Sequence, residues 1–331
     1  MTESTPWRLK DLLRSKASFF GIIAGTVYGT LARFLAEKQS FGGAFSVMTG
    51  AFLFVVPLVL GTLTVSTVEN PSGRYRIFAP WIPSTLVVLS AVSFGWEGSI
   101  CVVLALPVLL VFSSIGGLMS AGKTVRHPGV KSALIVLPFA LSPIETRITA
   151  PTRFVETVSE IHIAAPPSIV WPLIVSVDSI RESEQRPALF TRIGFPRPVS
   201  AMISGTGVGA IRSARFERGL VFTETVTIWE AQRRLSFTID PNTESIPAAT
   251  LDPHVTIGGP FFDVLTGTYE LHPLDDGRST RLVLRSRHRV STRFNVYAGW
   301  WADRIMGSIQ SNILEVHKAR AERRGRNSTT N

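Results

Sequence analysis

The pattern of apolar and polar residues along the chain changes near residue 148. Before that point, apolar runs follow one another with only short polar breaks. A helix needs roughly 20 apolar residues to cross a hydrocarbon core about 30 Å thick. The pattern therefore predicts membrane-spanning helices over residues 17–36, 44–65, 77–94, 99–118 and 130–144. The last run is short and contains Pro138 and Pro143, so it either crosses the membrane or lies at its surface.

After residue 148 the pattern is that of a soluble domain. Residues 155–163 alternate between apolar and polar, which is typical of a half-buried strand, and a proline-containing turn and a short helix follow. Alternating segments between turn residues predict further strands over residues 200–204, 210–216, 221–230, 234–239, 261–272 and 280–291. Apolar residues at helical spacing predict a long amphipathic helix over residues 294–323.

These patterns predict two domains. Residues 1–148 form a membrane domain of four or five helices, and residues 149–331 form an α+β domain with a basic C-terminal tail. Basic residues precede the first run and lie between the second and third and between the fourth and fifth runs, which places the N-terminus in the cytoplasm. We expect the α+β domain outside the cytoplasmic membrane if residues 130–144 cross it, and in the cytoplasm if they do not.

Charge and cysteine content narrow the possible partners. The net charge is +10, but the Lys and Arg residues are concentrated in the N-terminal leader, the loops between apolar runs and the tail over residues 318–326. This placement favours contact with anionic membrane lipids over binding of nucleic acid, which we do not expect. Because Cys101 is the only cysteine, the chain has no intrachain disulfide and no thiolate metal cluster.

Two features of the first run concern helix packing. Gly21, Gly25 and Gly29 are spaced by four residues and share one helical face, where a second helix can approach closely. Arg33 lies near the end of the run, and snorkelling to the membrane surface is the expected reason for its charge. We therefore interpret the membrane domain as an anchor and scaffold.

Three sequence segments of the α+β domain resemble the START-like, or SRPBCC, superfamily. They are residues 161–171 (IHIAAPPSIVW), 251–263 (LDPHVTIGGPFFD) and 291–301 (STRFNVYAGWW), the last two resembling a bacterial subgroup with an N-terminal membrane region. The resemblance covers about residues 155–322. It implies a helix-grip fold, in which a curved antiparallel sheet surrounds a long C-terminal helix and leaves an apolar cavity. The ligands it implies are lipids, isoprenoids or polyketides.

Glu224 is the first candidate for chemistry. Strict alternation places it on the same strand face as Phe222 and Val226. If that face is inward, burial raises the pKa of Glu224, which could then act as a general acid or base. The alternative is a structural carboxylate that is exposed or paired with Arg212 or Arg215 on the neighbouring strand.

A second candidate constellation contains His254, Asp252 and Asp263. Glycines and a proline over residues 258–260 could fold the two arms together, and a carboxylate beside an imidazole would poise it near neutral pH. The alternative is that Asp252 stabilises a turn and His254 only lines the loop. No spacing here matches a metal site, and we expect neither a metal nor another cofactor.

Other residues are candidates to line the cavity. A ligand site needs a few polar groups within an apolar lining. Trp300 and Trp301 could form an aromatic gate, touch the bilayer interface or pack in the core, and adjacent helical residues cannot point the same way. The full set of predicted ligand contacts is Trp171, Phe222, Phe262, His288, Tyr297, Trp300, Trp301 and Arg304.

Three functions are consistent with the sequence. The first is membrane-anchored binding of a hydrophobic small molecule taken from or delivered to the bilayer. The second is a cyclase or dehydratase in which Glu224, His254 or Asp263 moves protons. The third is a partner-protein binding module whose cavity is filled by its own side chains.

Overall fold

The computed structural model describes residues 15–38, 44–120, 127–185, 189–241 and 255–329. The chain divides into two units, Met1–Ala150 and Pro151–Asn331. The described part of the first unit is helical. Its helices are α1 (Lys16–Glu37), α2 (Val56–Ser66, preceded by a π-helical turn over Ala51–Val55), α3 (Gly73–Phe78), α4 (Trp81–Ser93), α5 (Ser99–Met119) and α6 (Pro128–Arg147).

Within the described residues, four helical segments are long and apolar enough to cross a membrane. They are Lys16–Glu37, Gly73–Ser93, Ile100–Met119 and Pro128–Arg147. The last of these corresponds to the short fifth run. Its helix has 20 residues and continues through both prolines, which membrane helices tolerate when neighbouring groups satisfy the backbone.

The second run forms a shorter helix than the sequence predicts. Helical structure covers Ala51–Ser66 rather than residues 44–65. The Glu145 carboxylate on α6 accepts hydrogen bonds from the amides of Gly50 and Ala51, at 2.7 and 3.0 Å, and Ser142 donates its hydroxyl to the Ala44 carbonyl. These side chains satisfy backbone groups before the helix begins, so the preceding residues form turns instead.

The packing prediction for α1 is confirmed. A Cβ atom added to Gly21 would lie 2.2 Å from the Thr64 carbonyl oxygen, and one added to Gly25 would lie 2.6 Å from the Thr64 hydroxyl, so α2 packs directly on this face. The snorkelling prediction for Arg33 is wrong. Its side chain is buried and forms ion pairs with Glu37 and Glu97 at 3.0 and 2.8 Å. Two nearby carboxylates thus hold this charge inside the unit.

The second unit has the predicted helix-grip architecture and is α+β. In the part of this unit that the structure describes, seven strands form one antiparallel sheet in the order β1-β7-β6-β5-β4-β3-β2. The strands are β1 (Arg153–Ile163), β2 (Pro198–Ser204), β3 (Ile211–Phe216), β4 (Val221–Glu230), β5 (Arg234–Pro241), β6 (Phe262–Leu274) and β7 (Ser279–Val290). The helices are α7 (Pro167–Val175), α8 (Leu189–Arg192) and α9 (Asn295–Thr329).

The core of this unit lies between one face of the sheet and α9. Leu235, Leu282 and Leu314 are fully buried there, from β5, β7 and α9. Helix α9 packs mainly along β1, β7 and α7. Alternation along each strand sends every second side chain to this inner face, so any polar residue at such a position becomes buried. Polar side chains that could bind a ligand in the interior are therefore expected on the inner face.

Candidate functional site

Arg212 and Glu224 are charged residues on the inner face. They lie directly opposite each other on β3 and β4, and only 4% and 6% of their surfaces are exposed. Their side chains form a buried ion pair. The sequence-based expectation that alternation turns Glu224 inward is confirmed, and so is the alternative that it pairs with Arg212.

Two further polar side chains complete this arrangement. Tyr269 on β6 is hydrogen-bonded to Arg212, and its ring lies 5.6 Å from that of His317 on α9, nearly perpendicular to it. The Arg212 guanidinium also lies 5.4 Å from the ring centre of Phe237. We call Arg212, Glu224, Tyr269 and His317 the inner polar cluster. It brings four elements together within the apolar core.

Burial dominates the electrostatics of the cluster. It raises the pKa of the Glu224 carboxyl, while the positive charge of Arg212 acts in the opposite direction. Burial also raises the pKa of Tyr269 to about 12. Burial, together with the charges of Arg212 and Arg320, lowers the pKa of His317 to about 3. His317 is therefore neutral at physiological pH and can both donate and accept a hydrogen bond.

Several buried nitrogen atoms have no hydrogen-bond partner among the described residues. On the inner face they include the Nε atom of Arg212 and both ring nitrogens of His317 and of His288. Buried polar atoms are normally hydrogen-bonded, because leaving one unpaired costs roughly 1–3 kcal/mol. Each of these nitrogen atoms can therefore bind a water molecule or a polar atom of another molecule.

A second polar group lies closer to the beginning of α9. Gln310 donates hydrogen bonds to the Thr157 carbonyl at 3.1 Å and to the Ser286 hydroxyl at 2.9 Å. His288 is fully buried beside them in the sheet, and its ring centre is 5.7 Å from that of Phe262. Burial lowers the pKa of His288, and the nearby Asp303 carboxylate opposes this shift.

Aromatic residues border the space beside α9. Phe190 on α8 makes edge-on ring contacts with Phe195 at 6.0 Å and with Trp301 at 6.4 Å. A small cavity of about 10 Å³ lies here, lined by residues 190–191, 195–198, 308–309 and 312. Phe190, Phe195 and Trp301 thus form an aromatic wall beside this cavity.

The structure places the other predicted residues in different surroundings. His254 and Asp252 lie outside the described residues. Asp263 is in register with Arg289 on the outer face of the sheet, so it does not meet Glu224. Burial raises the pKa of Asp263. Within the described residues no group of three or more His, Cys, Asp or Glu side chains is arranged to hold a metal ion.

The predicted aromatic contacts divide into interior and surface residues. Trp171 packs edge-on against Trp229 at 5.5 Å, and Phe222 is buried against Phe216 at 5.3 Å. Trp301 is half-buried beside Tyr297. The remaining two residues of the predicted set lie on the surface of α9: Trp300 is 49% exposed, and Arg304 stacks on its ring at 4.2 Å.

Sequence reasoning missed Tyr269, His317 and two members of the aromatic wall, Phe190 and Phe195. His317 lies four residues before Ala321 and three after Leu314 on the apolar stripe of α9, which is the signal that could have identified it. Tyr269 alternates with Leu271 on the inner face of β6. Both signals indicate burial, but neither indicates that these residues meet Arg212.

We expect acid to destabilise this unit through His317. Its folded pKa of about 3 lies below the ordinary value of 6.5. Between those values the unfolded chain binds a proton that the folded chain does not, so stability is full above pH 6.5 and falls as the pH drops below it. The expected slope is roughly 1–2 kcal/mol per pH unit.

The measurement is the urea midpoint of the full chain in detergent micelles from pH 7.5 to 5. His317→Phe should flatten the pH dependence. Equal slopes in the wild type and His317→Phe would contradict the assignment.

Comparison with known proteins adds a family match. A family model described as polyketide cyclase / dehydrase and lipid transport matches residues 155–321. No curated protein sequence matches the chain. Matching solved structures include the Zhui aromatase/cyclase from Streptomyces sp. R1128, with 18% identity, a TM-score of 0.33 and coverage of 53% of this chain and 96% of that one. A protein from Rhizobium leguminosarum has 12% identity, a TM-score of 0.33 and coverage of 53% and 99%. A protein from Arthrobacter aurescens has 16% identity, a TM-score of 0.31 and coverage of 51% and 86%.

Proposed function

Since this chain belongs, through residues 155–321, to the polyketide cyclase, dehydrase and lipid transport family, we propose that its C-terminal unit binds a hydrophobic small molecule. The proposed site lies between α9 and the inner face of the sheet. Family membership confirms the START-like resemblance of the sequence. The identity of the ligand and its exchange with a membrane are the parts that we propose.

One observation carries this proposal: the inner polar cluster contains unpaired nitrogen atoms within an otherwise apolar core. Arg212 Nε can donate a hydrogen bond, and neutral His317 can donate one and accept another. A ligand that fits has a largely hydrocarbon body and at least one oxygen atom, as a carbonyl, hydroxyl or carboxylate group. Such a molecule buries apolar surface while its oxygen is bound by the cluster.

The membrane unit supports the same function. Four of its helical segments are long and apolar enough to cross a bilayer. We propose that they anchor the binding domain where a lipid-soluble ligand is concentrated, so that membrane lipids surround the protein and supply or receive the ligand. We expect the N-terminus in the cytoplasm. If both α6 and the shorter helical segment at Ala51–Ser66 cross, the binding domain lies outside the cytoplasmic membrane.

A second candidate function is an enzyme in which Glu224 transfers a proton. The buried position of Glu224 and its raised pKa favour this role. Its ion pair with Arg212 favours a structural role instead. Conversion of the ligand by the wild type and by Glu224→Gln distinguishes the two: an enzyme converts it in the wild type and not in the variant, whereas a binding protein converts it in neither.

Photo-crosslinking in native membranes tests the binding proposal. A diazirine-bearing fatty alcohol, activated on membranes that contain the full chain, should label peptides of β3–β6 and α9 as well as the apolar helices. The double variant Arg212→Met/Glu224→Leu should lose the label in β3–β6 and keep it in the apolar helices of residues 16–147, which serve as an internal control. Labelling confined to residues 16–147 in the wild type would contradict the proposal.

A further inference from the structure

The first two turns of α9 carry an exposed apolar and aromatic stripe. Val296 is 79% exposed and Trp300 is 49% exposed, and they lie four residues apart on one face of the helix. Arg304 lies one turn further along the same face, with its guanidinium 4.2 Å from the centre of the Trp300 ring. We call Val296, Trp300 and Arg304 the α9 stripe. Its side chains do not contribute to the inner face.

Hydrogen bonds fix the start of α9 to the first residues of its own unit. The Asn295 side chain donates to the Pro151 carbonyl, and the hydroxyls of Thr152 and Ser291 lie 3.2 Å apart. Pro151 is the fourth residue after Arg147, where α6 ends. Four residues of extended chain reach at most about 14 Å. If α6 spans the membrane, the chain therefore keeps the α9 stripe close to the membrane surface.

A second aromatic–arginine pair lies beside the same tether. Phe154, at the beginning of β1, is 53% exposed, and the Arg287 guanidinium lies 4.7 Å from the centre of its ring. The neighbouring Arg153 is also exposed. Aromatic rings with adjacent cations are typical of protein surfaces at the level of lipid head groups, where the ring enters the apolar boundary and the cation meets phosphate.

We propose that the α9 stripe binds the lipid bilayer interface, with Val296 and Trp300 inserted at the head-group level and Arg304 bound to anionic lipid. This inference goes beyond ligand binding by the inner face and does not require it. It assigns the exposed aromatic residue of α9 to the membrane, and it leaves the half-buried Trp301 to the interior.

Lipid quenching of a fluorophore on the full chain tests this proposal. Cys101 is the only cysteine, so Cys101→Ala combined with Val296→Cys gives one labelling site for the environment-sensitive fluorophore NBD. The labelled protein is reconstituted in vesicles of phosphatidylcholine and phosphatidylglycerol that contain a nitroxide-bearing lipid. Val208→Cys is the matched control, because Val208 is 69% exposed in the β2–β3 turn, at the opposite end of the sheet from Pro151.

We expect the nitroxide lipid to quench the label at residue 296 at least about twofold more than the label at residue 208. Adding Trp300→Ala should reduce that quenching. Equal quenching at the two positions would overturn the proposal, as would quenching that Trp300→Ala leaves unchanged. A disulfide-linked dimer through Val296→Cys without lipid quenching would identify a second copy as the occupant and also overturn it.

Discussion

Replacing Arg212 with methionine is expected to lower the free energy of unfolding of the C-terminal unit by about 3–5 kcal/mol. The substitution removes the partner of a carboxylate that is only 6% exposed, and Glu224 must then remain charged in the core or take up a proton. The loss should be smaller at pH 5 than at pH 7.5, because protonation relieves the uncompensated charge. Urea unfolding of the full chain in detergent micelles, followed by near-ultraviolet circular dichroism, measures it.

The double variant Arg212→Met/Glu224→Leu is the control for this prediction. It removes both charges and keeps the volume of the pair, so we expect it to regain most of the lost stability. Because it lacks the Arg212 Nε donor proposed to bind the ligand oxygen, it should fold without retaining the ligand. A double variant as unstable as Arg212→Met would show that the loss does not come from the unpaired charge.

The second large effect is expected in the membrane unit, at the crossing of α2 and α5. A Cβ atom added to Gly61 would lie 1.8 Å from the Ser113 carbonyl oxygen, and one added to Gly116 would lie 1.9 Å from the Leu58 carbonyl oxygen. Gly61→Val or Gly116→Val must therefore separate the two backbones, which also disrupts the hydrogen bond from the Thr62 hydroxyl to the Gly116 carbonyl. We expect a cost of at least about 1–3 kcal/mol.

Thermal unfolding and size-exclusion chromatography in detergent measure this cost. Gly73→Val is a suitable control, because no atom lies within 4 Å of a Cβ added at Gly73. The two crossing-point variants should unfold at lower temperature and aggregate, whereas the control should behave as the wild type. Normal behaviour of Gly61→Val would contradict the close approach of α2 and α5.

Short-range pattern predicted the parts of the site that lie within a hairpin. Alternation along β4 predicted that the Glu224 side chain faces inward. Because β3 and β4 are neighbours, Arg212 was predicted as one of two possible partners. The glycine face of α1 was predicted for the same reason, since a four-residue period defines a helical face. By contrast, alternation also separates Asp263 from the inward-facing Phe262 and Val264, and the proposed pairing of Asp263 with His254 did not take this into account.

The remaining features depend on contacts that are distant in sequence. Tyr269 and His317 come close to Arg212 only when the whole sheet and α9 assemble, and no local period encodes that assembly. The late start of the helical segment at Ala51–Ser66 depends on Glu145, which is about 95 residues away. Arg33 and its partner Glu97 are 64 residues apart in the sequence. Such partners become visible only in the folded chain.

Native mass spectrometry tests the central claim, that the C-terminal unit binds a hydrophobic molecule at the inner polar cluster. The full chain, purified in detergent from its own membranes, is transferred to the gas phase and stripped of detergent, and the bound molecule is identified after dissociation. The account predicts one oxygen-containing hydrophobic molecule per 36.2 kDa chain, absent from Arg212→Met/Glu224→Leu. A wild-type chain that carries no such molecule, and takes up none from an extract of its membranes, would contradict it and would favour a partner-binding module with a filled interior.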